Sequence, residues 1–113
     1  MQYVPHRGEI WSVYIPGQSY DPHQPRPALI VSSNARNRLR DDVIVIPIFS
    51  RGKPGRTRVP VTAGMGGLRH DSLLFCEEVT TLHHDFLVNG PFGPPVPQNI
   101  LQRVVVALRY AVT

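Results

Sequence analysis

Proline and glycine occur so often along this chain that they limit the length of every regular element it can form. The 113 residues include twelve prolines and nine glycines, which indicates short strands and frequent turns rather than a helical bundle. The apolar fraction of 42% is sufficient for a hydrophobic core. This length suits one domain and is too small for two ordinary ones. We therefore expect a single domain over residues 1–113.

Five segments have the apolar and β-branched composition of short strands: residues 9–15, 27–31, 43–49, 57–62 and 72–79. The segment 43–49 carries no charge and does not alternate with polar residues, which indicates a strand covered on both faces. Pro47 lacks a backbone donor, so we expect an unpaired side or a bulge at that position.

Two stretches between these strands are less informative, and the last one changes period. Residues 33–42 are polar and favour either one helical turn or a connector, and residues 80–96 give no clear assignment. From Pro97 onward, apolar residues recur at helical spacing, and proline suits the first helical turn. Three consecutive valines at 104–106 lower helix propensity, so a strand is the alternative there. The pattern predicts four or five short antiparallel strands and a terminal helix, a small barrel-like α+β domain that is mainly β.

The charge of the chain is basic and is carried almost entirely by arginine. Net charge is +4, and Lys53 is the only cation of twelve that is not arginine. Residues 36–58 contain seven cations and two carboxylates. Arginine binds phosphate with two parallel hydrogen bonds, which favours a polyanionic partner. A genome rich in G and C would produce the same arginine bias, and composition alone does not separate the two explanations.

The sequence does not favour a metal centre or a cofactor. Cys76 is the only cysteine, which excludes a disulfide framework and a cysteine-based zinc site. His83 and His84 are adjacent, so their side chains diverge and do not form a chelating pair. The first eleven residues lack the apolar region of a signal peptide, and the apolar run 43–49 is too short to span a bilayer. We expect a cytoplasmic protein that needs no metal.

Five stretches of the chain, taken in order, resemble the MazF/PemK family of toxin endoribonucleases from bacterial toxin–antitoxin pairs. They are RGEIW (7–11), RPALIVSS (26–33), VIVIPIFS (43–50), TRVPV (57–61) and GLRHDSLLFCEEVTTL (67–82). The resemblance implies an SH3-like, partly open antiparallel barrel of the CcdB/PemK type, with a C-terminal helix, that forms a homodimer. It also implies metal-independent cleavage of single-stranded RNA, such as mRNA, that leaves a cyclic phosphate and a 5′-hydroxyl.

The same resemblance suggests the catalytic residues. Arg26 matches the catalytic arginine before proline, and its guanidinium would stabilise the phosphorane. The family carries a threonine in the proline-containing strand, and Phe49 stands at that position here. Ser50 follows it and could supply the hydroxyl if a bulge turned it inward, because neighbouring strand residues otherwise face opposite sides. Asp21 could act as the general base or orient one, or could belong to a plain Asp-Pro turn.

A second set of residues is expected to bind the RNA. Phe49 could stack on a base or belong to the core, and His23 could take part in proton transfer or simply be solvated. The remaining members are the cations that follow strand 43–49: Arg51, Lys53, Arg56 and Arg58. These cations could guide an RNA backbone, form a solvated loop, or accept the acidic C-terminal segment of a cognate antitoxin.

Two other functions are compatible with the expected fold. The first is a toxin that poisons DNA gyrase, but those relatives use a C-terminal tripeptide that contains tryptophan. This chain ends in Ala-Val-Thr, and Trp11 is its only tryptophan. The second is an inactive module that binds RNA or antitoxin, which the phenylalanine at position 49 suggests.

Overall fold

A computed structural model describes residues 3–17 and 24–113. The described chain contains seven short strands: β1 (Ile10–Val13), β2 (Arg26–Ile30), β3 (Asp42–Phe49), β4 (Arg58–Val61), β5 (Ser72–Phe75), β6 (Thr80–His83) and β7 (Leu87–Asn89). There are two α-helices, α1 (Asn34–Leu39) and α2 (Gln98–Val112). Three single-turn 3-10 helices cover Met65–Gly67, Cys76–Glu78 and His84–Phe86.

The strands form one antiparallel sheet in the order β4-β5-β3-β2-β1-β7, and β6 also pairs with β3. In the part of the chain that the structure describes, β4 and β7 do not pair with each other, so the barrel remains partly open. This arrangement has more strands than the four or five predicted. The additional strands, β6 and β7, lie within residues 80–96, where the pattern of residues predicted no element.

β3 is the central strand, and its two faces contact two separate cores, as its uncharged sequence predicted. Ile46 and Ile48 pack into a core beneath α2. Val43 and Val45 pack into the second core, on the opposite face, together with Trp11. Burial of such side chains is the main favourable term in folding, and here it fixes which face of each strand points toward α2.

Pro47 lies where β3 exchanges one partner for another. On one side β3 pairs continuously with β2, and Ala28 is opposite Pro47. On the other side, β6 pairs as far as Val45 and β5 begins at Ile48. The carbonyl oxygens of Ile44 and Ile48 face β2, so Pro47 faces the gap between β6 and β5. The missing donor therefore removes no bond from either ladder, and the expected unpaired side is confirmed.

The polar stretch after β2 forms a short helix rather than an irregular connector. The Ser33 hydroxyl caps α1 by accepting from the backbone N–H of Arg36, 3.1 Å away. Asn37 is 1% exposed and donates to the carbonyl oxygens of Pro5 and Ser32. These bonds fix α1 against the segment before β1, and the helical alternative for residues 33–42 is confirmed.

The C-terminal segment is the amphipathic helix that its period predicted. The buried side of α2 consists of Ile100, Leu101, Val104 and Ala107. Val105 and Val106 are partly exposed on the outer side, so the valine run does not convert the segment to a strand. Within the described ranges, no helix is both long and apolar enough to cross a bilayer.

One predicted strand is too long. The sequence indicated a strand over 72–79, but β5 ends at Phe75 and a 3-10 turn covers Cys76–Glu78. The backbone N–H of Cys76 donates to the carbonyl oxygen of Thr57 at the start of this turn. The run of apolar residues continues from Leu73 through Cys76. For this reason the pattern did not show that the strand ends at Phe75.

Candidate functional site

An open cavity of about 720 Å³ lies at one end of the sheet. It is lined by the start of β2, the end of β3, Ser12 of β1 and two connecting segments, residues 67–72 and 89–92. Gly67 allows the two connecting segments to meet, because it has a φ of +88° and a side chain there would come within 2.5 Å of the Phe92 carbonyl oxygen. The cavity is therefore built from parts of the chain that are distant in sequence.

Antiparallel pairing of β2 and β3 brings the first predicted residues together. Ala28 is opposite Pro47, so the beginning of β2 lies beside the end of β3. Arg26 and Ser50 accordingly line the same cavity. Ser50 lies one residue beyond the end of β3 and is exposed. Its position on the cavity does not depend on a bulge within the strand.

The Arg26 side chain is largely buried in the cavity wall. It is 8% exposed, and its Nη1 donates to the carbonyl oxygen of Ile48 over 3.1 Å. The guanidinium carbon lies over the Phe49 ring, 4.0 Å from the ring centroid. A guanidinium held between a carbonyl and an aromatic face loses little freedom when it meets a ligand. This position is suitable for a group that stabilises negative charge.

Phe49 belongs to a row of side chains in contact with one another rather than to the cavity lining. Its ring lies 4.4 Å from that of Phe75, with an angle of 44° between the two planes. The guanidinium of Arg58 lies over Phe75 at 3.9 Å. The order of contact is therefore Arg26, Phe49, Phe75 and Arg58. This row connects the cavity wall to the basic segment, which we define as residues 51–58.

The cations of the basic segment have different environments. Arg51, Lys53 and Arg56 are exposed, and none of them makes an ion pair with a described residue. Arg58 donates to Oε2 of Glu77 from Nε at 2.9 Å and from Nη2 at 2.7 Å. Its Nη1 donates to the carbonyl oxygen of Lys53, 3.1 Å away. Three of the four predicted RNA-binding cations thus face solvent, and the fourth is paired.

A second, shallower cavity of about 430 Å³ separates the basic segment from α2. Arg56, Arg58 and Arg103 line it together with the side chains of Asn99 and Gln102. The guanidinium of Arg56 also lies 5.1 Å from the centroid of the Tyr110 ring on α2. The positive surface that begins at the basic segment therefore continues along one side of α2.

Sequence reasoning did not identify several residues that line the main cavity. Arg69 and His70 add a cation and an imidazole, and Ser12 and Asn89 add polar groups. The motif GLRHDS contains the first two and contributed to the family resemblance. Asp71, which belongs to the same motif, orders the turn before β5 by accepting from the backbone N–H of Ala63 over 2.8 Å.

Two of the predicted site residues, Asp21 and His23, lie outside the described residues, and their roles stay predictions. Among the residues that are described, no three of the types His, Cys, Asp and Glu come close enough to hold a metal ion. Cys76 is fully buried. Burial, with a smaller contribution from the charge of Glu77, raises the pKa of the Cys76 thiol to about 12, as expected for an unreactive core cysteine.

The fold and the cavity define a small, partly open β-barrel protein with a buried arginine at an open, basic end. The chain belongs to the family of PemK-like, MazF-like toxins of type II toxin–antitoxin systems, whose family model matches residues 6–112. The resemblance drawn from the five sequence motifs is confirmed. No curated protein sequence matches the chain significantly.

Solved structures with the same fold cover almost the whole chain. An endoribonuclease from a mycobacterial species is 24% identical, with a TM-score of 0.76, over 97% of this chain and 92% of that one. An endoribonuclease in complex with its cognate antitoxin, also mycobacterial, is 24% identical, with a TM-score of 0.77, over 96% and 94%. MazF from Deinococcus radiodurans is 23% identical, with a TM-score of 0.79, over 96% of both chains. At these identities the likeness shows the fold, and the predicted small open barrel with a C-terminal helix is confirmed.

Proposed function

We propose that this chain is a cytoplasmic toxin that cuts single-stranded RNA without a metal ion. The observation that supports this best is the Arg26 guanidinium, held by Ile48 and Phe49 at the wall of an open cavity. A fixed donor of this kind stabilises the charge that develops on a phosphorane without reorganising first. The family of the chain and the mycobacterial endoribonuclease with the same fold are consistent with this activity.

In the proposed reaction, the 2′-oxygen of a ribose attacks the neighbouring phosphorus, and the bond from phosphorus to the 5′-oxygen breaks. The products are a 2′,3′-cyclic phosphate and a free 5′-hydroxyl. Arg26 donates to the non-bridging oxygens as their charge increases, and the Ser50 hydroxyl supplies a further donor. Asp21 receives the 2′-hydroxyl proton. His70 is our candidate for the acid that protonates the 5′-oxygen, because its imidazole lines the cavity and can carry a proton to donate.

The basic segment would carry the RNA backbone away from the reacting phosphate. Arg51, Lys53 and Arg56 are exposed and follow Ser50 directly in the chain. Arg69 adds a cation at the cavity itself. An RNA single strand that enters the cavity at Arg26 therefore meets positive charge where it leaves the cavity. Contacts between these cations and phosphates raise the affinity for RNA independently of its base sequence.

The test is cleavage of an unstructured oligoribonucleotide in EDTA by the wild type and by Arg26→Ala. We expect the wild type to cut and Arg26→Ala to be roughly 10²–10³-fold slower, which is the usual effect of removing one such donor. Arg38→Ala removes an exposed arginine of α1 and serves as the matched control, with an unchanged rate. Circular dichroism verifies that both variants fold.

Two outcomes would contradict the proposal. Intact RNA after incubation with the wild type, freed of antitoxin, would exclude the nuclease and favour the inactive binding module, which the phenylalanine at position 49 already suggests. Equal rates for the wild type and Arg26→Ala would show that the cleavage comes from another site or from a contaminant. Product analysis distinguishes the proposed chemistry, because only attack by the 2′-oxygen leaves a cyclic phosphate.

We further propose that the chain forms a homodimer and is inhibited by a cognate antitoxin with an acidic C-terminal segment. Solved complexes of MazE with MazF from Deinococcus radiodurans have this fold in the toxin chain, which supports such a partner. The exposed cations of the basic segment suit an acidic peptide as well as RNA. If an acidic peptide binds without reducing RNA cleavage, the peptide and the RNA do not share a site. The dimer is tested by analytical ultracentrifugation, and a molar mass equal to that of one 12.7 kDa chain would contradict it.

A further inference from the structure

The environment of the Arg26 guanidinium suggests a role for a residue that has no hydroxyl and does not line the cavity. We propose that Phe49 is a positioning residue, which holds Arg26 in the orientation needed for catalysis instead of stacking on an RNA base. The inference rests on the proposed function, because it gives Phe49 a part in that reaction.

The Arg26 guanidinium is held by an aromatic face and by a carbonyl oxygen. The guanidinium carbon of Arg26 lies over the Phe49 ring, 4.0 Å from its centroid. This distance is well within the range of cation–π attraction, and the Ile48 carbonyl oxygen fixes Nη1 at 3.1 Å. The aromatic face limits tilting of the guanidinium plane, and the carbonyl limits its rotation. Both contacts constrain the direction in which the guanidinium points.

The Phe49 ring already has neighbours where an RNA base would have to stack. The face of Phe49 that carries Arg26 is not available to a base, and the centroid of the tilted Phe75 ring lies 4.4 Å from that of Phe49. Phe49 is only partly exposed and is absent from the cavity lining. A base could therefore stack on that face only by displacing the Arg26 guanidinium. The contacts favour positioning over stacking.

The row of side chains is anchored at its far end, where Arg58 contacts Phe75. Arg58 lies over Phe75 at 3.9 Å and is fixed by Glu77 through two hydrogen bonds. Gly52 closes the loop against the same ring, since a side chain there would come within 2.7 Å of the Phe75 Cζ. Phe75 is consequently held on the side away from Phe49. Arg58 thus supports the ring that supports Phe49.

The experiment compares Phe49→Tyr, Phe49→Leu and Phe49→Thr by the kinetics of RNA cleavage in EDTA. Tyrosine keeps the aromatic face, and we expect a rate within about twofold of the wild type. Leucine and threonine remove it, and kcat should fall about tenfold or more, which corresponds to the loss of one buried cation–π contact. KM should change little, because the RNA does not contact the ring. Phe86→Leu, a change of a partly buried aromatic packed against the core that contains Trp11, controls for general loosening.

The threonine variant separates this inference from a simpler one. If position 49 merely lacked a catalytic hydroxyl, Phe49→Thr would be faster than the wild type, and that result would overturn the positioning role. A loss of affinity with unchanged kcat in Phe49→Leu would also overturn it and would favour base stacking. Affinity is measured separately by the anisotropy of a 2′-O-methyl oligonucleotide, which cannot be cut.

Nuclear magnetic resonance provides a readout that does not depend on cleavage. Side-chain protons of Arg26 above an aromatic ring should resonate upfield, and the shift should persist in Phe49→Tyr and disappear in Phe49→Leu. A shift that is absent from the wild type would overturn the inference while leaving the nuclease proposal intact. If the wild type shows the expected upfield shift of the Arg26 protons but does not cut RNA, the proposed function is refuted, and so is the catalytic part of the inference.

Discussion

Arg58 contacts three partners at once, and these contacts determine what it can contribute to a nucleic-acid site. Arg58 donates hydrogen bonds to Glu77 and to the Lys53 carbonyl oxygen, and its guanidinium lies over the face of the Phe75 ring. Burial alone would raise the pKa of Glu77, but hydrogen bonds from Arg58, from the Glu77 backbone and from Thr57 outweigh it, and the net pKa is lowered. The charged form of Glu77 is therefore the one that the folded chain stabilises.

This lowered pKa predicts how stability changes in acid. A carboxylate whose pKa is lower in the folded state contributes stability that is complete above its unfolded pKa, 4.5 for Glu77, and is lost as pH falls through the folded pKa. We expect Glu77→Gln to show a shallower loss of stability below about pH 4.5 than the wild type. Urea unfolding at several pH values measures this difference. Glu78→Gln is the matched control, and an equally steep loss in Glu77→Gln would contradict the expectation.

At the level of single residues, the sequence predicted a site residue where both the chemistry of its side chain and its position at a strand end indicated one. Arg26 and Ser50 were both named, and both line the cavity. Two roles were open for Phe49, stacking on an RNA base or packing in the core. Strand alternation predicts the face of the sheet on which a side chain lies, but it does not predict the neighbours of that side chain. Arg69 and His70 were missed, since an exposed turn before a strand has no period that would indicate a cavity.

At the level of elements, long or uninterrupted apolar patterns were sufficient to predict a strand or a helix, and short patterns were not. The uncharged β3 and the periodic α2 could be predicted because each buries residues at a fixed spacing. β6 and β7 span only Thr80–His83 and Leu87–Asn89, too few residues to establish alternation. β6 is stabilised by pairing with β3, from Asp42 opposite His83 to Val45 opposite Thr80. A partner about 40 residues away along the chain cannot be inferred from the composition of four residues.

At the level of the whole molecule, the order of strands explains why the predicted site residues come together. β2 begins and β3 ends at the same end of the sheet, because the two strands are antiparallel neighbours. The residues that follow β3 are therefore next to Arg26 whatever their identity. In this chain they are Ser50 and the basic segment, so the topology itself places Arg26, Ser50 and the cations at one end of the sheet. The cavity is completed by residues 67–72 and 89–92, whose arrival there depends on pairings that the sequence did not reveal.

This arrangement predicts how RNA affinity depends on salt. Each phosphate neutralised on a single strand contributes a slope of roughly −0.7 in a plot of log affinity against log salt concentration. We expect Arg51→Ala, Lys53→Ala and Arg56→Ala each to reduce the steepness of that slope by about 0.7. Arg58→Ala should reduce it less, because Glu77 already neutralises that cation. Anisotropy of a 2′-O-methyl oligonucleotide over a salt series provides the slopes, with Arg38→Ala on α1 as the control. Slopes that stay the same in all three exposed variants would show that the RNA leaves the cavity by another path, and the basic segment would then remain available to the antitoxin alone.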